Sequence, residues 1–84
     1  MEVLGRDSAR EAYRIAIGGP GTRIVGLVPD SMISANLPLT GGRGHQTAYD
    51  WLARNTDNLE LTLRALNAGR PAPARFATVV LEKD

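Results

Sequence analysis

Six residues, Tyr49, Leu52, Thr56, Leu59, Leu63 and Leu66, recur at alternating spacings of three and four, which is the rhythm of one helix face. The spacing predicts a single long helix over about residues 47–67 with that stripe against a sheet. Thr47, followed three positions later by Asp50, resembles a capping box, and Gly69 stands where a left-handed residue closes a helix. In a chain of 84 residues such a helix leaves room for one modest core, burying roughly 60–65% of the unfolded surface, and for one domain.

The remaining segments read as strands punctuated by glycine and proline. From Ala12 to Ile17 the residues alternate, Tyr13, Ile15 and Ile17 on one face and Arg14 and Ala16 on the other, with a short helix from Ser8 as the competing reading. Gly18-Gly19-Pro20-Gly21 suits a hairpin connection, and Thr22 to Val28 resumes a β-branched run. Asp30 or Ser31 can cap a short helix through Met32, Ile33 and Asn36 that Pro38 ends. After the long helix, Arg70-Pro71-Ala72-Pro73-Ala74 cannot remain helical, and Phe76 to Leu81 reads as a last strand. The expected fold is α+β: a three-stranded, mainly antiparallel sheet with one long helix on one face. Two strand orders, sequential or with the last strand beside the first, are both compatible with this pattern.

A sheet under one helix usually turns a polar second face to water. Here the second and third predicted strands are apolar on both faces. One set joins Ile24 and Val28 to Phe76 and Val80; the other joins Val25 and Leu27 to Ala77, Val79 and Leu81. One set must be covered by the short helix and N-terminal segment, by a second copy, or by another protein.

Composition narrows the function classes. With 43% apolar and 23% charged residues the chain falls in the ordinary globular range. There is no cysteine, which removes disulfides, thiolate nucleophiles and most structural zinc arrangements. No apolar run approaches the roughly 20 residues that span a bilayer, and the start lacks a signal-peptide pattern, so no membrane association and a cytoplasmic location are expected. A net charge of +1 with interspersed signs disfavours direct nucleic-acid binding. Nine of the ten cations are arginine, the side chain suited to bidentate contacts with carboxylate or phosphate.

Candidate chemistry is thin. Gly41-Gly42-Arg43-Gly44 leads into a helix N-terminus, a geometry that can meet an anion with Arg43 and His45 beside it, but neither the phosphate-loop nor the dinucleotide spacing is present. His45 is the only histidine and has no HxH or HxxxH partner, so no metal is expected. Ser31, Ser34 and Asp50 could in principle join it, yet no nucleophile-elbow sequence frames them; no catalytic residue and no cofactor are expected. Trp51, two positions from Tyr49 and so off the core stripe, is a candidate half-exposed anchor. Glu60 with Arg64 and their charged neighbours Arg54 and Asp57 read as solvated intrahelical pairs.

The run Ile24-Val25-Gly26-Leu27-Val28 followed by Pro29-Asp30-Ser31-Met32-Ile33, with the helix around Leu52, Asn55 and Leu59 leading to the 76–81 strand, resembles the small bacterial YrdB-like family of unknown function. That family tends to carry an asparagine–arginine pair in the long helix; Asn55 keeps the first and Thr56 replaces the second. The resemblance implies a compact α+β fold and assigns no activity or cofactor. The functional expectation is a non-enzymatic, homodimeric protein-binding domain using Trp51, Arg43, His45, Arg54, Val25, Leu27, Val79 and Leu81. The alternative is a small inhibitor or adaptor, of phage or mobile-element type, docking on a nucleic-acid-processing complex.

Overall fold

The computed structural model describes residues 1–19, 21–36 and 45–82. Among them, four strands, β1 (Glu2–Asp7), β2 (Ala12–Ile17), β3 (Ile24–Pro29) and β4 (Val80–Leu81), form one antiparallel sheet in the order β1-β2-β3-β4. Helices α1 (Asp30–Asn36), α2 (His45–Arg54) and α3 (Thr56–Asn67) and one 3-10 turn, Ala74–Phe76, complete the described elements. The α+β class and antiparallel sheet are as expected, with four strands in place of three and the sequential strand order.

The additional strand is β1, whose alternation is broken by a bulge: pairing with β2 shifts register between Val3 and Gly5, which leaves Leu4 as the inserted residue. Ser8 to Glu11 turn the chain into β2 rather than starting a helix. Glu11 N donates to Ser8 O at 3.3 Å, Arg10 N donates to the Asp7 carboxylate at 3.2 Å, and Glu11 takes a φ of 52°, a turn followed by a left-handed residue. The β2–β3 connection closes by a hydrogen bond from Thr22 N to Gly19 O at 3.0 Å; Pro20 lies outside the described residues.

The core lies between the sheet and the helices. Tyr13, Ile15 and Ile17 are buried on the helix-facing side of β2, as their alternation predicts, and Val28 joins them from β3. Leu52, Leu59 and Leu63 of the predicted stripe are fully buried, while Tyr49 and Leu66 pack at its margin. Each such aliphatic side chain contributes about 1.5–3 kcal/mol by leaving water. Gly26 sets the spacing, since a Cβ there would run into the side chain of Leu63, so glycine lets α3 approach β3. Thr62, the one buried polar residue of the described core, satisfies its hydroxyl by donating to Asn58 O at 2.8 Å.

The predicted single helix is two. α2 starts at His45, two residues before the expected Thr47 cap, and the ladder is interrupted at Asn55. There the Asn55 side-chain amide donates to Trp51 O at 2.8 Å and the Thr56 hydroxyl to Ala53 O at 2.9 Å. The Asn55 backbone N–H also donates to Trp51 O at 3.1 Å and to Leu52 O at 3.2 Å, so these short polar side chains add bonds to the last carbonyls of α2 where the helix ends. The predicted C-terminus holds: Gly69 has a φ of 79°, Arg70 N donates to Ala65 O at 2.8 Å and Gly69 N to Leu66 O at 3.1 Å, the paired bonds of a Schellman motif.

The last predicted strand shortens to Val80–Leu81, because Phe76 belongs to the 3-10 turn and Val79 N donates back to Phe76 O at 3.0 Å. This changes the predicted sets. Leu81 stands opposite Gly26 and Val80 opposite Leu27, so Leu81 shares the helix-side face of Gly26 while Val80 shares the outer face with Leu27. Val79 and Phe76 are buried in the core.

Candidate functional site

The outer face of the sheet is the surface that the fold leaves without a helix. Register places Ala12, Arg14 and Ala16 of β2 beside Pro29, Leu27 and Val25 of β3, with Val80 of β4 completing the row Arg14–Leu27–Val80. Glu82 follows, its N–H donating to Val25 O at 2.8 Å. β2 and β4 flank β3 and so stand about 10 Å apart. The Arg14 guanidinium nevertheless grips the Glu82 carboxylate with two contacts of 2.8 Å, and Arg10 Nη1 adds a third at 3.0 Å. That arginine therefore lies across β3 as a strap, its aliphatic stem over apolar neighbours.

The strap alters how open the face is. Leu27, Ala12 and Ala16 are buried although no helix covers them, Val25 is half-buried, and Val80 is 50% exposed. The apolar content expected to need a cover is thus partly covered by the chain's own arginines. Glu82 loses water to two guanidinium groups; the hydrogen bond from Arg14 is the main cause holding its carboxyl below the usual carboxylate range, opposed by its own desolvation. The same bond raises Arg14. At the far end of the sheet, Arg6 of β1 bonds the Asp30 carboxylate at the start of α1, with Nε to Oδ2 at 3.2 Å.

The predicted site residues do not converge. Val25 and Leu27 lie on the outer face. Val79 is buried in the core and Leu81 lies on the helix-side face, so neither serves an outer docking surface; the 3-10 turn reverses the parity that an unbroken strand would give them. Trp51 is 7% exposed and packs on Phe76 with ring centroids 6.2 Å apart, so it is a core aromatic rather than a half-exposed anchor. Arg54 is exposed at the end of α2. Arg43 and the whole Gly41–Gly44 stretch lie outside the described residues, and His45 is described only as the first backbone position of α2. Glu60 and Arg64 make no direct salt bridge; the Glu60 carboxylate accepts from the Met1 amino group at 2.9 Å, with Arg64 adding only a weaker attraction.

The sequence reading missed Val80 as an outer-face residue and the Arg10–Arg14–Glu82 cluster. Arg14 could have been found from its place opposite the core-facing residues of β2, but its partner is 68 positions away. An open groove of about 630 Å³ at the Gly18–Gly19 end is lined by Met1, Glu2, Ala16, Ile17 and Arg23. Its two charged side chains are paired with each other at 3.3 Å, which leaves little charge to hold a ligand. Among the described residues no group of three or more His, Asp or Glu side chains is placed to hold a metal ion, and no helix is long and apolar enough to cross a membrane. Comparison with protein-family models, curated proteins and solved structures found no match in any of the three, so the likeness to the YrdB-like family rests on the residues quoted for it.

Proposed function

We propose that the chain is a non-enzymatic protein-binding domain that self-associates through the outer face of its sheet. The observation that carries this reading is Val80, a half-exposed valine at the end of the row Arg14–Leu27–Val80 on a face without a helix. A second copy is the occupant that the charges favour. The face carries Arg10, Arg14 and Arg23 against Glu2, Asp7 and Glu82, equal in number, so a like face brings both signs to meet both signs in a twofold contact. Pairing along the strand edges fits less well, because β1 is bulged and β4 is two residues long, the devices by which sheets blunt their edges.

Light scattering over a concentration series tests it, with Val80→Asp as the main variant because Val80 is exposed and its replacement leaves the core intact. The expected result is a dimer in the parent and a folded monomer in Val80→Asp, with melting temperatures measured alongside. A parent that stays monomeric at every concentration, or a Val80→Asp chain as dimeric as the parent, overturns the reading.

A further inference from the structure

The strap on the outer face crosses β3 on a diagonal that the register defines. Arg14 stands directly opposite Leu27, and Leu27 opposite Val80. Two positions along, Ala16 stands opposite Val25, whose carbonyl accepts from the Glu82 N–H at 2.8 Å. To reach the Glu82 carboxylate, to which its Nε and Nη2 each donate at 2.8 Å, the Arg14 side chain therefore runs from the Leu27 row to the Val25 row. Arg10, on the turn between β1 and β2, donates to the same carboxylate at 3.0 Å and is itself tied to Asp7. Residues from that turn, from β2 and from the end of β4 thus close over β3. Exposure follows the strap. Leu27, beneath its path, is buried with no helix above it, whereas Val80, in the same row but beyond the path, is half-exposed.

We propose that the Arg14–Glu82 strap is an autoinhibitory cover on the self-association face: closed, it withholds Leu27 from a second copy, and open, it joins that leucine to Val80 in one apolar strip. The inference rests on the reading of this face as the self-interface and concerns what limits the strength of that contact. Arginine suits the part, because its aliphatic stem shields apolar surface while its planar head pairs with a carboxylate. Both side chains of the pair keep some contact with solvent, so the strap can open without leaving a charge buried and alone. Opening adds apolar area to the contact between copies, in proportion to the leucine surface newly buried. It removes one partly exposed charge pair from each copy, and such pairs contribute little. The two effects oppose each other, and the apolar one is the larger.

The test is the dimer dissociation constant of the full chain, from sedimentation equilibrium, for two charge-balanced pairs of substitutions on the same face. Arg14→Thr with Glu82→Gln opens the strap; threonine keeps the strand preference of position 14 and is too short to cross β3. Glu2→Gln with Arg23→Gln removes one charge of each sign from the ion pair at the Gly18–Gly19 end of the sheet, away from Leu27. The expected result is association roughly tenfold tighter for the strap pair, the effect of burying part of a leucine side chain in the contact, and a change of less than about twofold for the control pair. Adding Val80→Asp to the strap pair is expected to abolish the gain. Circular dichroism shows whether each variant is folded; if the strap pair is not, Glu82→Gln against Glu2→Gln carries the comparison, each removing one negative charge from the face. A strap pair that associates no more tightly than the parent, or equal tightening in both pairs, overturns the proposal. Failure of the underlying reading shows differently, as a parent that is monomeric at every concentration. A strap pair that then dimerises through Val80 upholds the cover, and one that stays monomeric overturns it.

Discussion

Gly26 is the residue at which close packing is most sharply set, because the position of its missing Cβ is taken by the buried side chain of Leu63. Gly26→Ala is expected to destabilise the protein by about 1–3 kcal/mol through overpacking, read as a lower urea midpoint. Leu63→Ala alone is expected to cost about 2–5 kcal/mol by leaving a cavity. The double substitution is expected to cost clearly less than the sum, since the new methyl enters the space that the leucine vacates; additive losses would show that the two positions do not meet. Trp51 gives the opposite lesson at this scale. Two residues from Tyr49 on a helix, it reads as a surface aromatic, yet Phe76 folds over it from 25 positions downstream. No local periodicity carries that contact.

Among the elements, the C-terminal end of α3 was easier to read than the continuity of the helix before it. Gly69 was legible as a helix end because only glycine adopts a positive φ at little cost, and its surroundings are open, with nothing within 4 Å of an added Cβ. Gly69→Ala is therefore expected to cost about 1 kcal/mol from backbone conformation alone, measured by thermal melting, with the helical dichroism signal of the folded state unchanged. The interruption at Asn55 was not legible, because the leucine spacing runs through it without a phase error; only the two short polar residues there, whose side chains bond the carbonyls of Trp51 and Ala53, mark the place. β1 was hidden for a related reason, as the bulge at Leu4 interrupts the alternation by which strands are recognised. In the last strand the alternation was visible, but a 3-10 turn consumes Phe76 and exchanges which residues face inward.

The whole molecule is organised by where its charges pair. The Arg14–Glu82 strap joins β2 to the residue after β4 and spans the sheet across β3. Arg14 holds the Glu82 carboxyl below its ordinary value, so the ionised form is favoured in the folded state. The stability this supplies is fully present above the ordinary glutamate range and is lost as pH falls through the lowered folded value. Urea midpoints taken from pH 6 to pH 3 are expected to fall less steeply in Glu82→Gln than in the parent, since that variant has no carboxylate to protonate at the strap. Equal slopes would show that the strap does not contribute. Leu27 lies under the same strap, so Glu82→Gln is also expected to leave the outer face more accessible, seen as increased binding of an apolar dye with the melting transition retained.

The amino-acid sequence by itself determined that this is a small α+β domain with an antiparallel sheet, where its core-facing residues on β2 and in the leucine stripe lie, and where α3 ends. These depend on periodicity and on single-residue backbone preferences, which act over a few positions. The tertiary structure alone decided the fourth strand, the burial of Trp51 and Val79, the outward place of Val80 and the partners of the arginines. Each of these depends on a contact between residues far apart in the chain, and on a parity that one bulge or one 3-10 turn is enough to reverse.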